Sequence, residues 1–65
     1  MNITREIVRK LYNDGEAVII VDGARWTLYA ELYGVDIETP TEEITITHPA
    51  ELSDMLDGCT VTIED

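Results

Sequence analysis

The sequence is poor in positive charge, and none of that charge lies beyond residue 25. Its 65 residues include four Lys or Arg and fourteen Asp or Glu, so the formal net charge is -10 and the pI is about 4.1. Affinity for a nucleic-acid backbone or an anionic membrane surface comes from Lys and Arg side chains. The composition therefore disfavours direct binding to nucleic acid or to a membrane.

Cysteine, histidine and serine each occur once, at Cys59, His48 and Ser53. One cysteine forms no internal disulfide, which fits a reducing cytoplasm. His48 and Ser53 lie close together in the sequence with no third residue to orient them, so no catalytic triad is expected. One histidine and one cysteine do not complete a zinc site by themselves. We therefore expect no enzymatic activity, no metal and no cofactor, and we interpret Cys59 as a small buried apolar side chain.

The sequence matches two known motifs in part but completes neither of them. Residues 53–64 have glycine and glutamate where an EF-hand loop needs them, but Ser53 and Met55 occupy its first and third positions, where carboxylates are required. Residues 27–35 are similar to the first helix and turn of a helix-turn-helix. The second helix of that motif would contain Pro40 and four acids, the opposite of what a DNA-reading helix needs.

Long hydrophobic runs are also missing, although the chain has enough apolar sequence to form a core. No run approaches the ~18 residues of a membrane-spanning helix, and residues 1–10 lack the apolar region of a signal peptide. Hydrophobic residues nevertheless make up 45% of the chain. A chain of this length forms at most one small domain, which we assign to residues 1–65.

Three elements are predicted in the first half of the chain. Apolar residues at helical spacing predict a helix over residues 3–13, and the β-branched run at 17–21 predicts a buried strand. Residues 25–33 fit two patterns. Their aromatic and apolar residues repeat at helical spacing and precede Gly34, a suitable helix C-cap. The Asp22-Gly23 pair before them is a hairpin signal, and a strand is the alternative. We favour the helix.

Two further strands and a loop are predicted in the second half. Residues 35–42 are assigned to a loop because Pro40 lacks a backbone donor. Residues 43–47 alternate between isoleucine and polar side chains, which predicts a strand with one buried face. Residues 59–64 alternate in the same way, with Cys59 facing inward.

A third helix is predicted between these strands. Pro49 suits its first position, Thr47 or His48 can cap it, and Gly58 ends it. The element order is then helix, strand, helix, strand, helix, strand. This predicts an α+β fold with a small three-stranded, mainly antiparallel sheet and about three helices. If the helices cover one side only, the other side is a threonine-rich surface edged by acids.

The uneven charge is the strongest functional signal. Residues 1–25 sum to zero, so the whole excess lies in residues 26–65, where mutual repulsion opposes compaction. Solubility is one explanation, and recognition of a basic surface is the other. The acids on the third helix, at steps of three residues, form either a row of contacts or an ordinary solvated face. The acids that we expect to contact a partner are Glu38, Glu42, Glu43, Glu51, Asp54, Asp57 and Glu64.

The aromatic residues Trp26, Tyr29 and Tyr33 fall at helical spacing. This spacing is typical of core residues, with the tyrosine hydroxyls at the surface. The alternative is an exposed aromatic face. It would suit a small acidic protein-interaction module, such as an antitoxin, an anti-restriction protein or a phage accessory protein.

A 65-residue, strongly acidic chain that combines helices with a short sheet and lacks catalytic motifs resembles the phage-encoded anti-CRISPR proteins, in particular the small inhibitors of type I-C systems. The resemblance covers the whole chain in size, charge and element order. It rests on no motif, so no functional residue is carried over. It implies a cytoplasmic protein of the bacterial host cell whose DNA-mimicking acidic surface binds a Cas protein or the surveillance complex and blocks recognition of target DNA. We expect it to act as a monomer rather than a dimer.

Overall fold

The computed structural model describes residues 3–48 and 50–64, which form two helices and one five-stranded sheet. All neighbouring strands are antiparallel, in the order β4-β3-β2-β1-β5. The predicted α+β class is confirmed, whereas the predicted three strands and three helices differ from the five and two observed. The elements in chain order are α1 (Ile3–Asp14), β1 (Glu16–Val21), β2 (Ala24–Glu31), β3 (Gly34–Glu38), β4 (Glu43–Ile46), α2 (Ala50–Leu56) and β5 (Val61–Glu64).

Both helices pack on the same face of the sheet. Ile7 of α1 and Leu52 of α2 are almost completely buried in one cluster with the inward side chains of the strands. The Ser53 hydroxyl also donates a hydrogen bond to the Thr4 hydroxyl at 3.2 Å, which joins the two helices. The buried core consists of Ile7, Leu11, Ala17, Ile19, Val21, Leu28, Val35, Ile37, Ile46, Leu52 and Leu56.

Residues 25–33 do not form the predicted helix, because most of them belong to strand β2. Asp22 and Gly23 both have positive φ angles, 49° and 87°, as a two-residue hairpin turn with right-handed twist requires. This turn pairs β2 with β1, and the next turn pairs β2 with β3. Pairing on both edges satisfies the backbone of β2 and buries Leu28, which outweighs the helical spacing of its aromatic residues.

The predicted loop at 35–42 is also wrong in its first part, which forms strand β3. Val35 and Ile37 alternate with acidic residues and are buried. Gly34 does not cap a helix; it begins β3 with a φ of 150°, and a Cβ atom there would lie 2.0 Å from the carbonyl oxygen of Ile46. Glycine is therefore required for β3 to pass close to the end of β4.

Several predicted boundaries shift by one or two residues. Helix α1 continues to Asp14, and β4 ends at Ile46. Cys59 precedes β5 instead of lying within it, although it is half-buried against the core. The predicted helix start at Pro49 falls outside the described residues.

Candidate interaction face

The face of the sheet opposite the helices is uncovered in the described part of the chain. Neighbouring residues of a strand point to opposite faces, so the buried positions of each strand fix which side chains point away from the helices. We call this surface the open face. It carries six acids and one cation. The predicted threonine-rich surface is present only in part, because Thr47 and Thr60 lie outside the strands. Its members are Glu16, Val18, Ile20, Arg25, Thr27, Tyr29, Glu31, Asp36, Glu38, Glu43, Thr45, Thr62 and Glu64.

Two glutamates stand directly opposite each other at one end of the open face. Glu38 of β3 pairs with Glu43 of β4 in the antiparallel register, and both side chains are exposed. Directly opposite residues have Cβ atoms about 4.5–5.5 Å apart, a distance at which like charges destabilise the sheet. Among the described residues neither glutamate has an ion-pair partner. The fold therefore holds an uncompensated pair of negative charges at this position.

The turn between β3 and β4 fixes a third glutamate beside this pair. The Thr39 hydroxyl accepts a hydrogen bond from the Glu42 backbone N–H at 3.0 Å and donates one to the Glu42 carbonyl at 2.9 Å. The Thr39 backbone N–H also donates to that carbonyl at 2.9 Å. These contacts hold the backbone of Glu42 in place, so the acid cluster of Glu38, Glu42 and Glu43 sits on an ordered hairpin.

Asp36 lies in the same strand as Glu38, but it has hydrogen-bond partners within the fold. One carboxylate oxygen accepts a hydrogen bond from the Tyr33 hydroxyl at 2.5 Å, and the other accepts one from the Thr45 hydroxyl at 2.9 Å. The bond to Asp36 stabilises the neutral phenol and raises the pKa of Tyr33 to about 12. Asp36 thus orients two neighbours, whereas Glu38 and Glu43 remain available for an external cation.

The far edge of the open face differs because its glutamate is paired. Arg25 of β2 contacts Glu64 of β5 with a nitrogen–oxygen distance of 3.1 Å. This pair offsets the charge of Glu64, whereas Glu38 and Glu43 have no such partner among the described residues.

The structure divides the seven acids predicted from the sequence. Glu38, Glu43 and Glu64 lie on the open face, and Glu42 lies in the adjoining turn. The other three belong to the helical layer on the opposite side of the sheet, where Asp57 follows the end of α2 and no longer continues a helical row. One flat partner surface cannot contact both groups. The three on the helical side are Glu51, Asp54 and Asp57.

The Glu51 carboxylate makes hydrogen bonds within the fold, to the backbone just before α2. It accepts the backbone N–H groups of Thr47 and His48, each at 3.0 Å. These two bonds, with His48 the larger cause, lower the pKa of Glu51 below its ordinary value of 4.5. The prediction that Thr47 or His48 caps the helix with its own side chain is therefore corrected, because the glutamate reaches back to their backbone instead.

The predicted aromatic stripe is not a single surface. Trp26 lies on the helix-covered face and packs against the core, whereas Tyr29 lies on the open face. Tyr33 lies in the β2–β3 turn and is 57% exposed. The grouping of Asp36 with Tyr33 and Thr45 was not predicted from the sequence. The alternation of Val35, Asp36 and Ile37 is the signal that indicates it.

The described residues offer few metal-binding or nucleophilic groups. No group of three or more His, Cys, Asp or Glu side chains has a geometry that could hold a metal ion in residues 3–48 and 50–64. Burial raises the pKa of the Cys59 thiol, aided by its contact with Asp22, which keeps the thiol protonated at neutral pH.

Comparisons of the chain with protein-family models, with curated proteins and with solved structures found no match. Neither described helix is long and apolar enough to cross a membrane.

Proposed function

We propose that this chain is a non-enzymatic inhibitor that binds a basic, nucleic-acid-reading protein surface through the β3–β4 end of its open face. The observation that carries the proposal is the uncompensated Glu38–Glu43 pair beside Glu42. The two glutamates repel each other and are held together by an ordered hairpin. Lys or Arg side chains of a partner would relieve this repulsion, which favours binding.

Charge spacing supports imitation of a nucleic-acid strand. Opposite side chains of a sheet stand about 4.5–5.5 Å apart, and one DNA strand carries a charge every ~3.4 Å along its axis. Carboxylates at this spacing, carried on an ordered hairpin backbone, compete for the same Lys and Arg groups that would otherwise contact phosphates. The helical-side acids Asp54 and Asp57 are left outside this contact and serve solubility.

The partner class that we propose is a Cas protein or the surveillance complex of a type I-C CRISPR system. The size, acidity and lack of catalytic motifs of the chain favour this assignment. In this mechanism the acid cluster occupies the basic surface that reads target DNA or its short flanking motif. Inhibition is then competitive with DNA, and it weakens as salt screens the charges.

The test compares two charge reversals of equal size in a mobility-shift assay with purified type I-C surveillance complex and its target DNA. E38K/E43K reverses the open-face pair, and D54K/D57K reverses two exposed helical-side acids. Each changes the net charge from -10 to -6. We expect E38K/E43K to weaken inhibition of DNA binding by about tenfold or more, and D54K/D57K to change it by less than about threefold. Circular dichroism verifies that both variants fold.

Two results would contradict the proposal. Equal losses in the two variants would mean that net charge, and not the open face, governs binding. Failure of the wild-type chain to bind the complex at low salt would remove the CRISPR assignment.

A second candidate is a small acidic interaction module that binds its partner through apolar contacts. The observation in its favour is the exposure of Tyr33 together with Leu32 in the β2–β3 turn. Salt separates the two candidates, because an apolar interface keeps its affinity as ionic strength rises and a charge-driven one does not.

A further inference from the structure

An apolar groove opens on the helix side of the molecule, at the end where the β2–β3 turn lies. It has a volume of about 240 Å³ between α1, that turn and the start of α2. Core side chains Leu11, Val35 and Leu52 are among its walls, so the groove reaches the hydrophobic interior. A groove of this composition favours an apolar occupant.

The exposed large hydrophobic side chains of the described residues all border this groove. Tyr12 is 84% exposed, Tyr33 is 57% exposed, and Leu32 is as exposed as in an extended chain. Protruding apolar side chains therefore stand beside an apolar hole on one patch. A patch that carries both features is complementary to itself, which is the requirement for contact across a two-fold axis.

Charge allows a second copy as the occupant of this groove, whereas it opposes one at the open face. Two chains of charge -10 repel each other wherever acids face acids. The open face carries six acids and one cation, so it opposes self-association. Helix α1 carries three cations and two acids, and it borders the groove through Val8 and Tyr12. Among the described residues, Glu31 is the one charged residue that lines the groove, so a second copy meets less repulsion there than at the open face.

We propose that two copies of this chain associate through a two-fold symmetric contact in which Leu32 and Tyr12 of each copy enter the groove of the other. The open face lies outside this contact, so the inference does not depend on the proposed function. The sequence alone indicates a monomer; the grouping of exposed apolar residues around the groove is visible only in the fold. The patch is small, and interfaces below about 1,200 Å² in total are weak, so the dimer forms reversibly.

Sedimentation equilibrium of the full chain tests this, over a range from about 10 μM to about 1 mM that covers weak association. We expect the mass to rise from 7.3 kDa towards twice that value. The dimer should strengthen with added salt because salt screens the repulsion between the copies. This salt response is opposite to that of the open face with a basic partner.

Two substitutions of equal charge locate the contact. Leu32→Asp adds one negative charge at the groove, and Thr41→Asp adds one in the exposed β3–β4 turn. We expect Leu32→Asp to abolish the dimer and Thr41→Asp to leave it. In parallel, amide resonances of the wild-type chain that shift on dilution should cluster around Tyr12, Leu32 and Leu52.

A wild-type chain that stays monomeric at every concentration and salt level would overturn the proposal. So would a dimer that survives Leu32→Asp, dilution shifts confined to the open face, or growth into open-ended oligomers, which a closed two-fold contact does not produce.

Discussion

The two faces of the sheet come from the same five strands but follow different rules. On the helix-covered face the side chains are aliphatic or aromatic, and seven of the residues from these strands belong to the buried core. On the open face a like-charged pair stands directly across two strands, and the one ion pair described there lies at the opposite edge. One face is optimised for burial, while the other retains an arrangement that weakens the fold.

This difference shows that buried packing and exposed charge are separated by the alternation of side chains along each strand. Within β3, Val35 and Ile37 point into the core while Asp36 and Glu38 point away from it. A residue on the open face can therefore carry an unfavourable charge without disturbing the packing beneath it. Substitutions on the two faces should consequently change the free energy of unfolding by different amounts and, at the opposed glutamates, in the opposite direction.

The largest contrast is expected between neighbours in β2. Leu28 is fully buried, and Thr27 lies on the open face. Leu28→Ala should lower the free energy of unfolding by about 2–5 kcal/mol, because it removes buried methyl groups and leaves a cavity. Thr27→Ala should cost about 1 kcal/mol or less, the range of strand propensities. Urea unfolding of both variants measures the difference, and similar losses would contradict the assignment of the two faces.

A somewhat smaller loss is expected where the start of β3 passes close to the end of β4. Gly34→Ala places a Cβ atom against the Ile46 carbonyl and requires a φ of 150° from a residue with a side chain. We expect a loss of about 1–3 kcal/mol from backbone strain alone, with additional loss from the clash. Gly23→Ala is the matched control. It also has a positive φ, 87°, but it has open space for a Cβ atom, so it reports the strain without the clash.

The helices and the outer strands could be predicted from the sequence, because each has one clear period. The residues of α1 repeat at helical spacing, and β4 and β5 alternate, as observed. Strand β2 could not be assigned, because Trp26, Tyr29 and Tyr33 satisfy the helical period, and the deciding factor was pairing with strands on both sides. The hairpin signal at Asp22-Gly23 was the better guide.

The candidate site could be predicted only in part, for the same reason. Charge counting identified Glu38, Glu42 and Glu43, but it also included Glu51, whose carboxylate is used to hold the start of α2. Counting does not tell which layer an acid belongs to. Only the register of β3 with β4 shows that Glu38 and Glu43 are opposite each other.

Neutralising one member of the opposed pair should stabilise the protein. Glu43→Gln removes the repulsion with Glu38 and should raise the free energy of unfolding by about 0.2–1 kcal/mol at low salt, with the gain shrinking as salt is added. Glu64→Gln is the same chemical change at the paired edge, where it removes the contact with Arg25 and should give no gain. Urea unfolding at two salt concentrations checks both variants, and a loss of stability in Glu43→Gln would contradict the uncompensated pair.

The smallest expected effect lies on the helix side and depends on pH. The pKa of Glu51 is lowered in the folded chain by the backbone N–H groups of His48 and Thr47. A lowered folded pKa contributes stability that is fully present above the unfolded value, here 4.5, and is lost as the pH falls through the folded pKa.

Glu51→Gln keeps an oxygen acceptor but does not titrate. The difference in unfolding free energy between wild type and Glu51→Gln should therefore be constant above about pH 6 and shift against the wild type as the pH falls below 4.5. Asp54→Asn, which neutralises a neighbouring exposed acid on α2 whose side chain makes no hydrogen bond among the described residues, is the matched control for the loss of charge. A difference between wild type and Glu51→Gln that does not vary with pH would mean that the carboxylate does not hold the helix start in solution.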